Sequence, residues 1–319
     1  MKKQYVNALA RNAKVSDVFK IKDVSIRTTE KGSDFVSGAL CDKTGDMAFV
    51  KWDITSNERP NWTNGATLLI NGVVGEFNKR LQVKISDAMP AGAFAVDASD
   101  FEEVSPISSD KLQKDFKEIT DKIGDGGLSA LIKAVFTDKA VWERFSTWPA
   151  AVQYHHAYKY GLLEHTVSVA RLGLEIAKST GRVDKDYLLT GCCVHDIGKI
   201  YELTGIAPYE YTDEGHLLGH IFLGAELVRG KAAEVKSFPE AKLTRVLHMI
   251  LAHHGERQFG SPVVPSTAEA VALHYIDNID AKLQAADYVI GRDQTPGSWT
   301  DYVKIFETKL FKGAENTGE

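Results

Sequence analysis

Cysteine is scarce in this chain of 319 residues, which holds only Cys41, Cys192 and Cys193. Three cysteines, two of them adjacent, make no disulfide framework and fit a reducing compartment. Long apolar runs are missing too, and no stretch approaches the ~18 residues that read as a membrane helix. The N-terminal Met1-Lys2-Lys3-Gln4-Tyr5 carries charge with no apolar segment behind it, unlike a secretory signal. The expectation is a cytoplasmic protein with no membrane partner. An excess of positive charge is also absent. With 38 Lys and Arg against 43 Asp and Glu, the net charge is −5. That disfavours tight duplex binding, which needs many phosphate contacts, but is compatible with a local basic groove. No internal repeat is visible.

What is present divides into two halves with different periods. From about Val15 to Met89 apolar residues mostly alternate, and β-branched and aromatic types are frequent. Strands are expected at Val24–Thr28, Phe35–Leu40, Met47–Trp52, Thr67–Val74 and Leu81–Ile85, separated by turn signals such as Lys31-Gly32-Ser33-Asp34 and Lys43-Thr44-Gly45-Asp46. Five short strands in such a span predict a small closed barrel of OB-fold type, with an SH3-like barrel as the alternative. Phe35, Phe49, Trp52 and Phe77 mix there with Lys51, Arg80 and Lys84. Bases stack on aromatic rings while cations follow the backbone, so Phe35, Trp52, Lys51, Arg80 and Lys84 are candidates for contact with a single strand. The competing reading is an ordinary aromatic core under a solvated lysine face.

Residues 97–110 are acidic and end in Ser108-Ser109-Asp110, a helix-capping signature. Beyond Lys111 the period is helical almost throughout, most clearly at Leu162–Lys178, Lys185–Val194, His220–Val228, Ala241–His254 and Thr267–Ile290. The predicted organisation is a barrel over 1–95, a linker over 96–110, an all-α domain over 111–312 and a disordered tail over 313–319.

All ten histidines lie in the helical half. The apolar stripe Leu188, Leu189, Cys192, Cys193 reaches His195 and Asp196 one turn later, and Asp277 shares a stripe with Leu273 and Ile276. A carboxylate on a core-facing stripe is costly unless paired or bound to metal. Imidazoles with carboxylates suit divalent Mn, Fe or Zn, and one aspartate can bridge two ions about 3.5–4 Å apart, an arrangement suited to phosphoester hydrolysis. Cys192 and Cys193 read as apolar packing. His248 and His274 read as satisfied core histidines, His216 as a loop residue and Asp280 as structural.

The string His165…His195-Asp196…His220…His253-His254…Asp277 resembles the HD superfamily of metal-dependent phosphohydrolases. The segments from His155 to Thr166 and from His195 to Lys199, behind a barrel, resemble the YhaM-type 3′→5′ exoribonucleases, which join an OB-fold to an HD domain. The resemblance implies one metal on His165, His195, Asp196 and Asp277. It implies a second that shares Asp196 and takes His220 with either His253 or His254, since adjacent helical residues point about 100° apart. It also implies that Lys199 holds a phosphate oxygen, and that His156 and Tyr158 touch the scissile phosphate or the terminal nucleotide. Tyr160 departs from the family, many members of which have a small residue there.

The implied activity is metal-dependent hydrolysis of single-stranded RNA, or single-stranded DNA, from its 3′ end to nucleoside 5′-monophosphates. Two divalent ions are expected, Mn preferred, with Fe, Co, Zn or Mg as substitutes; self-association into a homo-oligomer is left open. The alternatives are an HD hydrolase of a small nucleotide, with the barrel regulatory, and a non-catalytic RNA-binding scaffold.

Overall fold

β1 (Lys14–Thr28) shows how the barrel closes, because one long strand serves both of its edges. The computed structural model describes residues 2–30, 32–78, 80–92, 97–293 and 295–313. Val96 of the expected linker and 314–319 of the expected tail lie outside them. The first half of β1 pairs with β4 (Thr67–Phe77), and the second half pairs with β2 (Asp34–Asp42) after a register shift between Lys22 and Ser25. β2 pairs with β3 (Gly45–Lys51), which runs parallel to β5 (Arg80–Pro90), and β5 returns to β4. The closed order β1-β2-β3-β5-β4 leaves no free sheet edge and is the OB-type barrel. Inward residues such as Phe19, Ile21, Leu40, Phe49, Ile70 and Val83 fill it.

The sequence reading caught only the second half of β1. The first half breaks alternation at Asp17, a buried carboxylate that accepts the N–H groups of Lys3, Gln4 and Val18 at 2.6–2.7 Å. A charged residue at an inward position satisfies backbone donors here and conceals the strand period.

The helical half begins with α1 (Ser109–Thr120), capped by the Ser108 hydroxyl as its sequence predicts. α2 (Gly126–Phe136), α3 (Lys139–Thr147) and α5 (Lys185–Val194) are each capped by an aspartate, Asp125, Asp138 and Asp184. α4 (Gly161–Thr180) and α5 pack together at the centre of a core that includes Leu162, Leu163, Val169, Leu188 and Cys192. A one-turn α6 (Lys199–Glu202), α7 (Asp213–Glu234), α8 (Glu240–Ala252) and α9 (Ala268–Arg292) complete it. α7 is broken at Gly219, whose φ of 72° and ψ of 154° are not helical. Its second segment therefore starts at His220, as expected, while His216 lies in the first segment rather than in a loop. Among the described residues no helix is long and apolar enough to cross a membrane.

Two compact units result. One is the chain up to Glu103 together with the described residues from Ile290 onward; the other is Val104–Val289. This departs from the expected division in two places. The linker's first residues are built into the barrel unit: Phe101 is buried with Val18 and Ala91, and Asp100 accepts from Tyr5 and Lys43. The end of the expected helical domain folds instead as an antiparallel ribbon, β6 (Trp299–Val303) with β7 (Thr308–Phe311), in the barrel's unit. Its strands are too short to establish a period against the helix before them.

Gly198, just before α6, meets α7 at backbone distance: a Cβ there would collide with the His220 carbonyl oxygen and lie 2.5 Å from the Gly224 nitrogen. Gly198→Ala should destabilise the helical unit by about 3 kcal/mol, the upper end for overpacking. Urea denaturation followed by far-UV circular dichroism measures this; an unchanged midpoint would contradict the close approach.

Candidate metal centre

Five helices deliver their ends, or one turn of a face, to a single point. α5 is buried along its length, and that burial continues past its C-terminus into His195 and Asp196, which are 0% and 3% exposed. His165 comes from the second turn of α4, His220 from the restart of α7, His253 and His254 from the residues that follow α8, and Asp277 from the middle of α9. α4 can start where it does because Gly161 has no Cβ to meet the His156 carbonyl oxygen.

Asp196 lies between two groups of ligand atoms. Its Oδ2 is 3.4 Å from His165 Nε2 and 3.5 Å from His195 Nε2, and Asp277 Oδ1 is 3.2 Å from His165 Nε2. Its Oδ1 is 3.5 Å from both His220 Nε2 and His253 Nε2. His165, His195 and Asp277 form one cluster with metal-ligand spacing; His220, His253 and His254 form another.

The other ring nitrogen of each histidine is committed elsewhere. His195, His253 and His254 donate from Nδ1 to the carbonyls of Cys192, Ile250 and Phe259, at 2.9, 2.7 and 2.8 Å. A carbonyl only accepts, so Nδ1 carries a proton, and each Nε2 is the nitrogen left facing the cluster. Carboxylates do the same elsewhere: Asp280 accepts from His165 Nδ1 at 2.7 Å and Glu202 from His220 Nδ1 at 2.8 Å. Such outer partners fix tautomer and ring orientation in metal sites. Glu202 also accepts the His220 backbone N–H at 2.9 Å, capping the restarted helix, and Ser168 donates to Asp280.

Asp196 Oδ1, His220 Nε2 and His253 Nε2 are fully buried yet have no hydrogen-bond partner among the described residues. Buried polar atoms are nearly always satisfied, so three orphans converging on one point are a binding site for an electrophile. A divalent cation fits this donor set. The electrostatics agree. Burial pushes the Asp196 pKa up, but Lys199, His195 and His165 outweigh it and hold the carboxyl well below the usual range. Asp277 is lowered likewise, against burial, by His165 and His195. Burial and the charges of His253 and His220 push His254 down to about 3, which keeps it neutral and ready to ligate.

The HD domain family model matches residues 162–282, which span every ligand above. The 3′-5′ exoribonuclease YhaM of Listeria monocytogenes is 31% identical over 297 residues, 92% of this chain and 94% of that protein. Its namesake from Bacillus velezensis is 32% identical over 299 residues, 93% and 94% of the two chains. The chain belongs to the YhaM family. Among solved structures, the second OB-fold domain of replication protein A from Methanococcus maripaludis aligns with 30% of this chain and 100% of its own, at 14% identity and a TM-score of 0.24.

Within this YhaM framework several expected roles change. His253 and His254 both join His220, with ring centroids 4.3 Å apart. The choice between them assumed helical geometry, but α8 ends at Ala252 and the following turn brings both rings to one side. His156, expected against the substrate, is 1% exposed; its Nε2 meets Asp280 at 3.0 Å and its Nδ1 meets the Tyr158 hydroxyl at 3.0 Å. It braces the carboxylate that orients His165, and Tyr158 braces it in turn. The Lys199 ammonium lies 2.6 Å from Asp196 Oδ2, and that carboxylate raises its pKa against burial, so it stays charged. Tyr160 sits at φ 69°, a left-handed conformation that a residue with a Cβ adopts only at a cost.

In the barrel, Lys51 is 8% exposed and paired with Glu58 at 3.2 Å, so it is a buried structural cation and not a free contact. Phe35 and Trp52 face each other across β2 and the end of β3 with centroids 4.7 Å apart, and Trp52 is 54% exposed. Arg80 and Lys84 are exposed.

Sequence reasoning passed over Glu202 and gave Asp280 no link to His165. It also assigned nothing to His155, which burial and the charges of Lys199 and His165 lower to about 3. Asp280 had a visible signal, lying three residues and so about one helical turn past Asp277. Glu202 had none, because its role depends on the break at Gly219.

His165 generates a pH prediction. Burial lowers its pKa, but Asp196, Asp277 and Asp280 together raise it well above the ordinary imidazole value. Its Nε2 proton must leave before that nitrogen can ligate a metal, so Mn²⁺ affinity should rise with pH through neutrality, with release of about one proton. Calorimetric titration in two buffers of different ionisation enthalpy measures the proton; the same affinity at about pH 6 and about pH 8 would contradict the assignment.

Proposed function

We propose that this protein is a metal-dependent exoribonuclease that shortens single-stranded RNA from the 3′ end and releases nucleoside 5′-monophosphates. The observation that carries the reading is Asp196 between two imidazole-rich clusters, with orphaned ligand atoms on its Oδ1 side. The names of the YhaM relatives support the same activity. Two divalent ions would be held, one by His165, His195 and Asp277, the other by His220, His253 and His254, with Asp196 shared. Mn²⁺ is the preferred ion, and Fe, Co, Zn or Mg are substitutes that the same donors accept. When bound, such a pair lowers the pKa of water and neutralises charge on the phosphoryl oxygens.

The chain's own residues supply orientation and fixed charge. The Nδ1 partners hold every ligating ring in place before substrate arrives, so no reorganisation is needed during reaction. Lys199 keeps its ammonium beside Asp196, where it can also meet a phosphate oxygen. His155 stays neutral and offers a hydrogen bond at the same side of the site. On the barrel, Phe35 and Trp52 provide rings for bases, and Arg80 and Lys84 provide cations for the backbone.

The test is a time course of 5′-labelled single-stranded RNA with Mn²⁺. The wild type should give a ladder that shortens from the 3′ end, and Asp196→Ala should slow it by about a thousandfold or more, the scale of losing a central electrostatic element. RNA left intact by metal-loaded wild type would overturn the reading in favour of a small-nucleotide hydrolase.

A further inference from the structure

The ribbon β6–β7 takes no part in the metal centre, yet its exposed face has a definite chemistry. Alternate residues of a strand point to opposite sides. On the inward side Thr300 is buried, and its hydroxyl accepts the Leu310 N–H at 2.9 Å. A register shift between Trp299 and Tyr302 brings both to the outward side, Trp299 opposite Phe311 and Tyr302 opposite Lys309. The rings of Trp299 and Phe311 are 5.1 Å apart. Trp299, Tyr302 and Phe311 are 54%, 63% and 54% exposed. Three open rings on one small ribbon are a patch of the kind that marks a binding surface.

The ribbon belongs to the barrel's compact unit and touches it. Asp301 lies 3.3 Å from Arg80, an exposed surface pair that constrains Arg80 little. Asp301 also lines a cavity of about 460 Å³ with Ala48, Phe77, Asn78, Arg80 and Gln82. Phe77, at the β4–β5 turn, is 62% exposed. Rings, amides and a guanidinium thus adjoin the ribbon on its barrel side.

We infer that the outward face of β6–β7 is a second stacking platform for single-stranded RNA, with bases on Trp299, Phe311 and Tyr302 and backbone phosphate on Lys309 and Arg80. Ring faces accept any base, which suits an enzyme that passes a strand along without reading it. A contact between two copies of the chain would call for a charge-depleted centre. This face instead places Lys309, which makes no ion pair among the described residues, directly beside Tyr302. Exposed Lys304 lies on the turn between the strands. The charge complements a polyanion. The inference rests on the exoribonuclease reading, since only a polymeric substrate needs a platform outside the metal centre.

The full-length protein in EDTA is titrated against a fluorescein-labelled oligouridylate of about 20 nucleotides, longer than one barrel's site, and binding is read by anisotropy. The double variant Trp299→Ala with Phe311→Ala should weaken binding about tenfold or more, and Lys309→Glu should weaken it and flatten its salt dependence. The conservative pair Trp299→Phe with Phe311→Tyr should bind as wild type does, which separates stacking from loss of the ribbon. With Mn²⁺, hydrolysis of a dinucleotide should be unchanged in all three. Wild-type affinity for the long strand in both disruptive variants would overturn the inference. So would unchanged affinity together with dissociation of an oligomer in sedimentation, which would assign the face to contact between copies. If the wild type trims RNA but the ribbon variants bind normally, only this assignment fails. If the wild type neither binds nor trims RNA, the exoribonuclease reading fails first.

Discussion

Asp196 is an ionised carboxylate placed where solvent does not reach, and the helical unit is arranged around the cost of keeping it there. Isolated in a low-dielectric interior, such a charge would take up a proton. Here the Lys199 ammonium and the imidazoles on the Oδ2 side outweigh burial, so the group stays ionised. The compensation is incomplete by hydrogen bonding alone, because Oδ1 faces two lone pairs instead of two donors. An acceptor facing acceptors is repulsive, and a cation between them turns the repulsion into ligation. The site is therefore built for metal before any metal is bound.

The architecture follows from bringing helix ends to that point. Each clustered side chain sits near where a helix starts, stops or breaks, apart from Asp277 inside α9, and each junction depends on a small residue or an outer partner. Gly161 lets α4 begin against the His156 carbonyl, Gly198 lets α6 meet α7 at backbone distance, and Gly219 restarts α7 so that His220 both opens a helix and joins the cluster. Glu202 meets the last two needs at once, accepting from the His220 backbone and from its ring. Asp280 holds His165 while His156 and Ser168 hold Asp280.

The buried cluster was legible in the sequence because burying polar residues on apolar stripes is costly enough to be informative. His195 and Asp196 continue the stripe of Leu188 and Cys192, and Asp277 shares the stripe of Leu273. The barrel was legible from alternation, except where Asp17 interrupts it for a structural reason. What escaped notice depends on tertiary contact. The commitment of His156 to Asp280, the pairing of Lys51 with Glu58 and the cap that Glu202 places on His220 each join residues whose spacing says nothing about the meeting. Adjacent His253 and His254 misled in another way, since the rule that separates neighbours on a helix stops applying where the helix ends. The ribbon after α9 was missed because four- and five-residue strands carry almost no period.

The central claim is that Asp196 is shared between two metal positions, and anomalous diffraction from crystals soaked in Mn²⁺ tests it most directly. The account predicts two peaks about 3.5–4 Å apart, one on each side of the Asp196 carboxylate, with His165, His195 and Asp277 around the first and His220, His253 and His254 around the second. A single peak that leaves the His220 cluster empty, or peaks that do not contact Asp196, would contradict it.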